Sequence, residues 1–256
     1  MNAGRAGLAT RVLRAAFGLY AWLVFTLCVL AGLLASLLVP MADLRHKLNA
    51  GASRAIFILS GVPPEIHGRE HIPDGDAVVV ANHASYVDGF LLKGYLPARF
   101  AFVIKGEIRK IPVAHFLFRR AGSRFVERHE VGASSRDARS IVKAARNGQS
   151  FAFFPEGTFH HAPGVARFRP GAFVAAIRGR LPVVPIAISR TREMMPSGRN
   201  WPWPVRPRID ILPPIDPDDP AFGDHRVLAE LARQRILDVL DEPDLCKVAA
   251  DNLNEG

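Results

Sequence analysis

An α/β domain behind an N-terminal pair of hydrophobic helices is the architecture that the sequence predicts. Short apolar runs at 77–81, 101–104, 151–154 and 183–188 have the length of buried strands. Helical stretches and turn residues separate them, which is the α/β alternation. Ahead of them, residues 15–42 carry no charged side chain.

The apolar run 15–39 is about 25 residues long, enough at 1.5 Å per residue to cross a hydrocarbon layer of about 30 Å. Arg5, Arg11 and Arg14 imitate the basic start of a signal peptide. The apolar core is longer than the usual 7 to 15 residues of such a signal, so an anchor is expected. Three Lys or Arg precede the run (5, 11, 14) and three follow it (45, 47, 54), leaving the positive-inside rule nearly tied. Residues 41–61 form a second expected helix. Its Leu44, Leu48, Ala52, Ala55, Ile56 and Leu59 recur at three and four, which makes an amphipathic face. The anchor is therefore 1–62, either one spanning helix or a re-entrant pair.

Pro63-Pro64 ends the anchor and opens a domain expected over 63–243. A hairpin-like stretch at 65–68 and a turn at 72–76 lead into the first core strand. A helix over 87–96 closes at Pro97, followed by a strand at 101–104, a helix at 111–120 and a strand at 124–127. The helix at 134–146 ends on Asn147-Gly148, a C-cap pattern. Strands at 151–154 and 183–188 complete the core. The Trp-Pro-Trp-Pro segment at 201–204 is a loop, set either at a lipid interface or against the core. A strand at 208–212 and a helix at 224–240 follow, and 244–256 is expected to fray.

At 256 residues the chain has room for one main core. Two cysteines, Cys28 and Cys246, supply neither a disulfide framework nor a zinc pattern. There is no glycine-rich nucleotide fingerprint, Walker loop or Gly-x-Ser-x-Gly elbow. His160-His161 is an adjacent pair, not the spacing of a helical metal site. No metal or resident cofactor is expected. The net charge of +9 is concentrated: residues 99–146 hold twelve Lys or Arg and four Asp or Glu. Nucleic acid, anionic lipid and the phosphates of coenzyme A all suit such a patch. With no nucleic-acid motif and few interleaved aromatics, an anionic membrane surface and substrate phosphates are favoured, and nucleic acid is not expected.

Two strings carry the chemistry. Asn82-His83-Ala84-Ser85-Tyr86-Val87-Asp88 follows the strand at 77–81. A neutral imidazole can take a hydroxyl proton near neutral pH, and a carboxylate on its other nitrogen fixes the tautomer. This is a serine-hydrolase triad without its serine, so the substrate's own hydroxyl could be the nucleophile. Positions five apart do not meet on a regular helix, so His83 belongs in the turn and Asp88 in the first helical turn, reaching back. Asn82 and Ser85 suit that junction. The second string, Phe154-Pro155-Glu156-Gly157-Thr158, ends the strand at 151–154. Strand ends carry ligand groups in α/β proteins, and Gly lets backbone amides approach a ligand.

Together the strings resemble the four blocks of the glycerolipid acyltransferase family. Asn82 to Asp88 matches block one and Phe154 to Thr158 block three. Lys105-Gly106-Glu107-Ile108 with Gly122 to Arg128 is similar to block two, and Val183 to Ile188 to block four. The blocks cover roughly residues 63 to 190 in the family's order. The chain departs from the family at Ala84, commonly Gln, and at Phe159, Arg in many lysophosphatidate enzymes.

The resemblance implies a mixed central sheet flanked by helices and a membrane-bound acyltransferase. It also favours the re-entrant helix pair. The acyl group would pass from acyl-CoA or acyl carrier protein to a lysolipid hydroxyl, foremost 1-acyl-glycerol 3-phosphate. His83 would be the general base and Asp88 its orienter. Arg128, Glu156, Gly157, Thr158 and Arg169 would hold the phosphate-bearing head, and amides near Gly157 or the block-one turn would serve the oxyanion. Phe159 keeps another lysolipid open as acceptor, and a non-catalytic membrane-binding protein is the rival class. A thioester donor implies the cytosolic face of the inner or cytoplasmic membrane.

Overall fold

A computed structural model describes residues 2–126, 131–158 and 162–247. Two helices come first, α1 (Asn2–Leu38) and α2 (Ala42–Leu59). Tyr20 donates to the Leu59 carbonyl at 2.8 Å, and Asn49 donates to Ser36 Oγ at 3.1 Å. These contacts fix α1 and α2 as an antiparallel hairpin.

The domain that follows holds β1 (Glu65–His67), β2 (Val78–Ala81), α3 (Asp88–Tyr95), β3 (Ala101–Lys105), α4 (Pro112–Arg120) and β4 (Arg124–Val126). Next come α5 (Val131–Arg146), β5 (Phe151–Phe153), α6 (Gly171–Gly179), β6 (Val183–Ser189), α7 (Thr191–Met194), β7 (Arg208–Ile211) and α8 (His225–Leu237). The sheet order is β1-β7-β6-β2-β5-β3-β4. All neighbours are parallel except β6 and β7, so the sheet is mixed.

The run 77–81 is continuously apolar because β2 is covered on both faces. Val78 and Val80 face a core built with α5, α6 and α8. Ala77, Val79 and Ala81 face a second core with Phe57 of α2 and Leu91 and Leu92 of α3. Local signals place the helix ends: Pro112 starts α4 at a position where its missing N–H costs nothing, and Asp224 caps α8 by accepting from Arg226 N at 2.6 Å.

Two expectations change, at 65–68 and in the segment from 244. The stretch 65–68 is not half of a hairpin. Glu65, Ile66 and His67 pair in parallel with Arg208, Ile209 and Asp210, a partner about 140 residues away. The apolar stripe expected along α2 is turned outward at its leucines. Arg45, Ala50, Ser53 and Phe57 are buried, while Leu44, Leu48 and Leu59 are 42%, 43% and 55% exposed. The segment from 244 is tied down as far as Lys247, because Arg233 on α8 forks onto Asp244 at 2.7 and 3.0 Å and Val165 N bonds the Pro243 carbonyl. The loop at 199–203 packs on α1. Trp201 donates to the Arg14 carbonyl at 3.2 Å, Trp22 donates to the Asn200 carbonyl at 2.8 Å, and the Arg14 guanidinium lies 4.4 Å from the Trp203 ring.

Candidate active site

β2 delivers its last residues into a turn at the carboxyl end of the parallel strands, the side on which α/β sheets bind ligands. Asn82 locks that end to β6. Its Nδ2 donates to the Ile188 carbonyl at 2.9 Å and its Oδ1 accepts from Ile188 N at 2.7 Å. Ser85 Oγ donates to the Met195 carbonyl at 2.6 Å, tying the turn to the segment after α7.

α3 begins at Asp88, and the carboxylate reaches back over the turn as the five-residue spacing requires. Asp88 Oδ2 accepts from Ala84 N at 2.7 Å and Ser85 N at 2.8 Å, and lies 2.9 Å from His83 Nδ1. The Asp88 side chain is wholly buried, while that of His83 is 18% exposed. With Nδ1–H donated to Asp88, the ring's lone pair sits on Nε2. The imidazole stacks on Phe154, with centroids 4.3 Å apart and planes at 21°. Orientation is thus fixed from two sides, by a carboxylate and by an aromatic face.

β5 runs beside β2 and brings the second string to the same end. Glu156 is 5% exposed, and both of its oxygens accept backbone N–H groups: Oε1 from His83 and Oε2 from Ala166, each at 2.8 Å. It is a clamp between the His83 turn and the loop that leads to α6. Burial pushes its carboxyl up from 4.5 to about 7. The two N–H groups pull it back, Glu242 raises it further and Arg192 lowers it.

Gly157 turns the chain at φ +84°, a backbone conformation that glycine adopts without strain, and its N–H meets the Phe154 carbonyl at 3.0 Å. Thr158 is half-buried. Arg169 is exposed, and its backbone N donates to the Pro155 carbonyl at 2.9 Å. Arg128, Phe159, His160 and His161 lie outside the described residues. His83, Asp88, Glu156, Gly157, Thr158 and Arg169 are therefore gathered around adjoining strand ends.

The Glu156 clamp and the Phe154 stack had only a local signal in the sequence, an aromatic residue and a carboxylate at a strand end. A third feature had none. An apolar cavity of about 270 Å³ opens beside Tyr86 and Val87, walled by Phe17 and Trp22 of α1, Phe57 of α2, Phe90 of α3 and Met195. Among the described residues, no cluster of three metal-ligating side chains is present.

A family model described as "Acyltransferase" matches residues 63–189. A 1-acyl-sn-glycerol-3-phosphate acyltransferase of Limnanthes alba is 29% identical over 202 residues, 77% of this chain and 72% of that one. The alpha form of Mus musculus is 26% identical over 232 residues, 87% of this chain and 80% of that one. Among solved structures, the 1-acyl-sn-glycerophosphate (LPA) acyltransferase PlsC of Thermotoga maritima superimposes with a TM-score of 0.70 at 25% identity. That match covers 90% of this chain and 97% of the other.

Proposed function

The chain belongs to the glycerolipid acyltransferase family and is an acyltransferase, and on that premise we propose a specific reaction for it. A fatty acyl group moves from the thioester of acyl-CoA or acyl carrier protein to the free hydroxyl of 1-acyl-glycerol 3-phosphate, giving phosphatidic acid. The observation that carries this reading is the His83–Asp88 dyad, with its buried carboxylate and no serine, cysteine or other nucleophile required of the chain.

In the proposed reaction His83 Nε2 takes the acceptor's hydroxyl proton as the oxygen attacks the thioester carbonyl. The carbonyl electrons move onto oxygen, which backbone N–H groups near Gly157 or the block-one turn stabilise. Collapse of that intermediate breaks the C–S bond, and the thiolate leaves with the proton that His83 had taken. Asp88 supports the imidazolium between the two transfers. No acyl-enzyme forms.

Arg128, Gly157, Thr158 and Arg169 hold the phosphate-bearing head in this reading. Glu156, with both oxygens engaged by backbone N–H groups, positions the His83 turn instead of touching the acceptor. The apolar cavity beside Tyr86 takes an acyl chain. The exposed leucines of α1 and α2 set the site at a membrane surface, and a cytosolic thioester places the domain on the cytosolic face of the inner or cytoplasmic membrane.

The test is an acceptor panel with purified enzyme and labelled acyl-CoA or acyl carrier protein, analysed by mass spectrometry. It includes lysophosphatidic acid, a lyso-aminolipid and neutral lysophospholipids, because Phe159 stands where many lysophosphatidate enzymes have Arg. Phosphatidic acid should dominate, and His83→Ala should remove most turnover with folding intact. Preference for another lysolipid would replace the acceptor. Unchanged turnover in His83→Ala would end the mechanism.

A further inference from the structure

At the end of the sheet opposite His83, a cavity of about 480 Å³ opens where the chain enters β3, β4 and β5. Its lining includes Arg45 and His46 of α2, Lys93 of α3, Arg99, Arg119 of α4 and Arg124 of β4, and its one acidic residue is Asp137. The strongly basic segment 99–146 supplies three cations, Arg99, Arg119 and Arg124, while α2 and α3 supply Arg45 and Lys93; burial and the neighbouring Lys93 hold His46 below the usual histidine range.

The cations are held by neutral acceptors. Lys93 Nζ donates to the Ala121 carbonyl at 3.3 Å, and Arg124 to Gln149 Oε1 at 2.9 Å. Arg45 donates to the Val39, Pro40 and Arg120 carbonyls at 2.8 to 3.0 Å, and Arg99 to the Gly75 carbonyl at 3.2 Å. Among the described residues, none of Arg45, Lys93, Arg99, Arg119 and Arg124 has a carboxylate within ion-pair distance. Carbonyl oxygens fix these side chains without cancelling their charge, so the cavity is built for an anion that supplies the countercharge. Burial without a counterion also lowers the Lys93 ammonium from 10.5 to about 8, a cost that a bound anion would relieve.

The rim indicates what kind of anion. Leu38 and Met41, just before the lining residue Ala42, are 74% and 61% exposed, and Phe116 and Phe118, next to the lining residues His115 and Arg119, are 47% and 40% exposed. A cation-lined pocket bordered by exposed apolar side chains matches an amphiphile with an anionic head. We propose that this cavity binds the phosphate of an anionic phospholipid at a site separate from the catalytic one, with the acyl tails lying over Leu38, Met41 and Phe116. Held there, the lipid would clamp the α1–α2 hairpin to α3 and α4, all of which contribute to the cavity or its rim.

The test uses the full chain in detergent micelles and measures binding of short-chain phosphatidylglycerol, short-chain phosphatidylcholine and inorganic phosphate by calorimetry. Two variants accompany it: Arg119→Gln, an exposed residue whose side chain has no hydrogen bond or ion pair among the described residues, and Lys93→Gln. Phosphatidylglycerol should bind more tightly than either alternative, and each variant should weaken it about fivefold, the effect of one cation near an anionic lipid surface. Turnover of Arg119→Gln on a soluble short-chain acceptor should stay at the wild-type level, and His83→Ala should bind phosphatidylglycerol as the wild type does. The latter arm separates this site from the reaction site whatever the fate of the acyl-transfer reading. Equal binding of phosphatidylglycerol and phosphatidylcholine would overturn the proposal, as would variants that bind normally. Inorganic phosphate binding as tightly as the lipid, and as sensitive to Arg119→Gln, would replace the lipid with a soluble anion.

Discussion

Asp88 concentrates three donors on one oxygen, two backbone N–H groups and the His83 ring, while Oδ1 is buried with no partner among the described residues. Asp88→Asn keeps the shape but cannot satisfy that arrangement. If its amide oxygen takes the Oδ2 position, the amide nitrogen fills the buried Oδ1 site without an acceptor. If the amide is turned, its N–H groups face three donors. Turnover should fall by orders of magnitude, as in hydrolase triads whose tautomer is lost. Stability should fall by about 1–3 kcal/mol through unsatisfied buried groups. Single-turnover kinetics and a thermal melt separate the two losses, and normal turnover would show that the orienting role lies elsewhere.

Glu156 makes a sharper test, because its two possible roles predict different kinetics. As a clamp on His83 N it acts through the position of the imidazole proposed as base, so Glu156→Gln should lower kcat with the acceptor KM nearly unchanged. As a contact to the acceptor it would raise KM. The same carboxyl, held at about 7 instead of 4.5, keeps its proton longer in the folded protein than in the unfolded chain. Its contribution to stability is therefore whole below about pH 4.5 and is lost as pH rises through 7. At 1.36 kcal/mol per unit the loss reaches up to about 3 kcal/mol. Thermal midpoints of wild type and Glu156→Gln between pH 5 and 8 should converge or cross as pH rises, and parallel curves would refute the assignment. The His83–Asp88 pairing was legible in the sequence because its spacing is local. The clamp was not, since Glu156 meets a backbone N–H 73 residues earlier, which no local pattern encodes.

At the scale of elements, the joint between α2 and α3 determines how the anchor sits on the domain. Gly94 is the contact point. A Cβ there would meet Arg54 N at 2.8 Å and Arg54 Cα at 3.0 Å, both rigid backbone, and Arg54 Nε already donates to the Gly94 carbonyl at 2.9 Å. Gly94→Ala should push the helices apart and cost about 1–3 kcal/mol, the usual penalty of overpacking, against a smaller gain in helix propensity. A thermal melt reads the cost, and a melt at or above the wild-type midpoint would show that the joint is soft. Elements with strong local punctuation, α3 before Pro97 and α5 before Asn147-Gly148, matched their expected spans closely. β1 did not, because Gly68 and Pro73 look like hairpin residues while the actual partner strand is β7. On α2, periodicity found the apolar stripe but not the residues that pack against the domain, Arg45, Ala50, Ser53 and Phe57.

Across the whole molecule, many of the exposed apolar side chains lie on the two N-terminal helices. Leu19, Leu23, Leu27 and Leu34 of α1 are 69%, 57%, 58% and 54% exposed, and Leu44, Leu48 and Leu59 of α2 join them. Thr10–Leu38 is long and apolar enough to cross a membrane. Yet its other face is committed to the rest of the protein, through Trp201 at Gly18, Tyr20 at Leu59 of α2 and the walls of the apolar cavity. Deleting the helix would therefore remove part of the wall of the apolar cavity along with the exposed leucines. Surface substitution separates the two: Leu19→Asn, Leu27→Asn and Leu34→Asn leave the buried Ala21, Val24 and Cys28 in place. Each lost leucine should weaken partition into vesicles by about tenfold, from roughly 1.5 kcal/mol of buried apolar side chain. The triple variant should float poorly with vesicles and turn over bilayer-embedded acceptor slowly, while a soluble short-chain acceptor reacts at close to the wild-type rate. Undiminished flotation would show that this leucine stripe is not what holds the enzyme at the membrane.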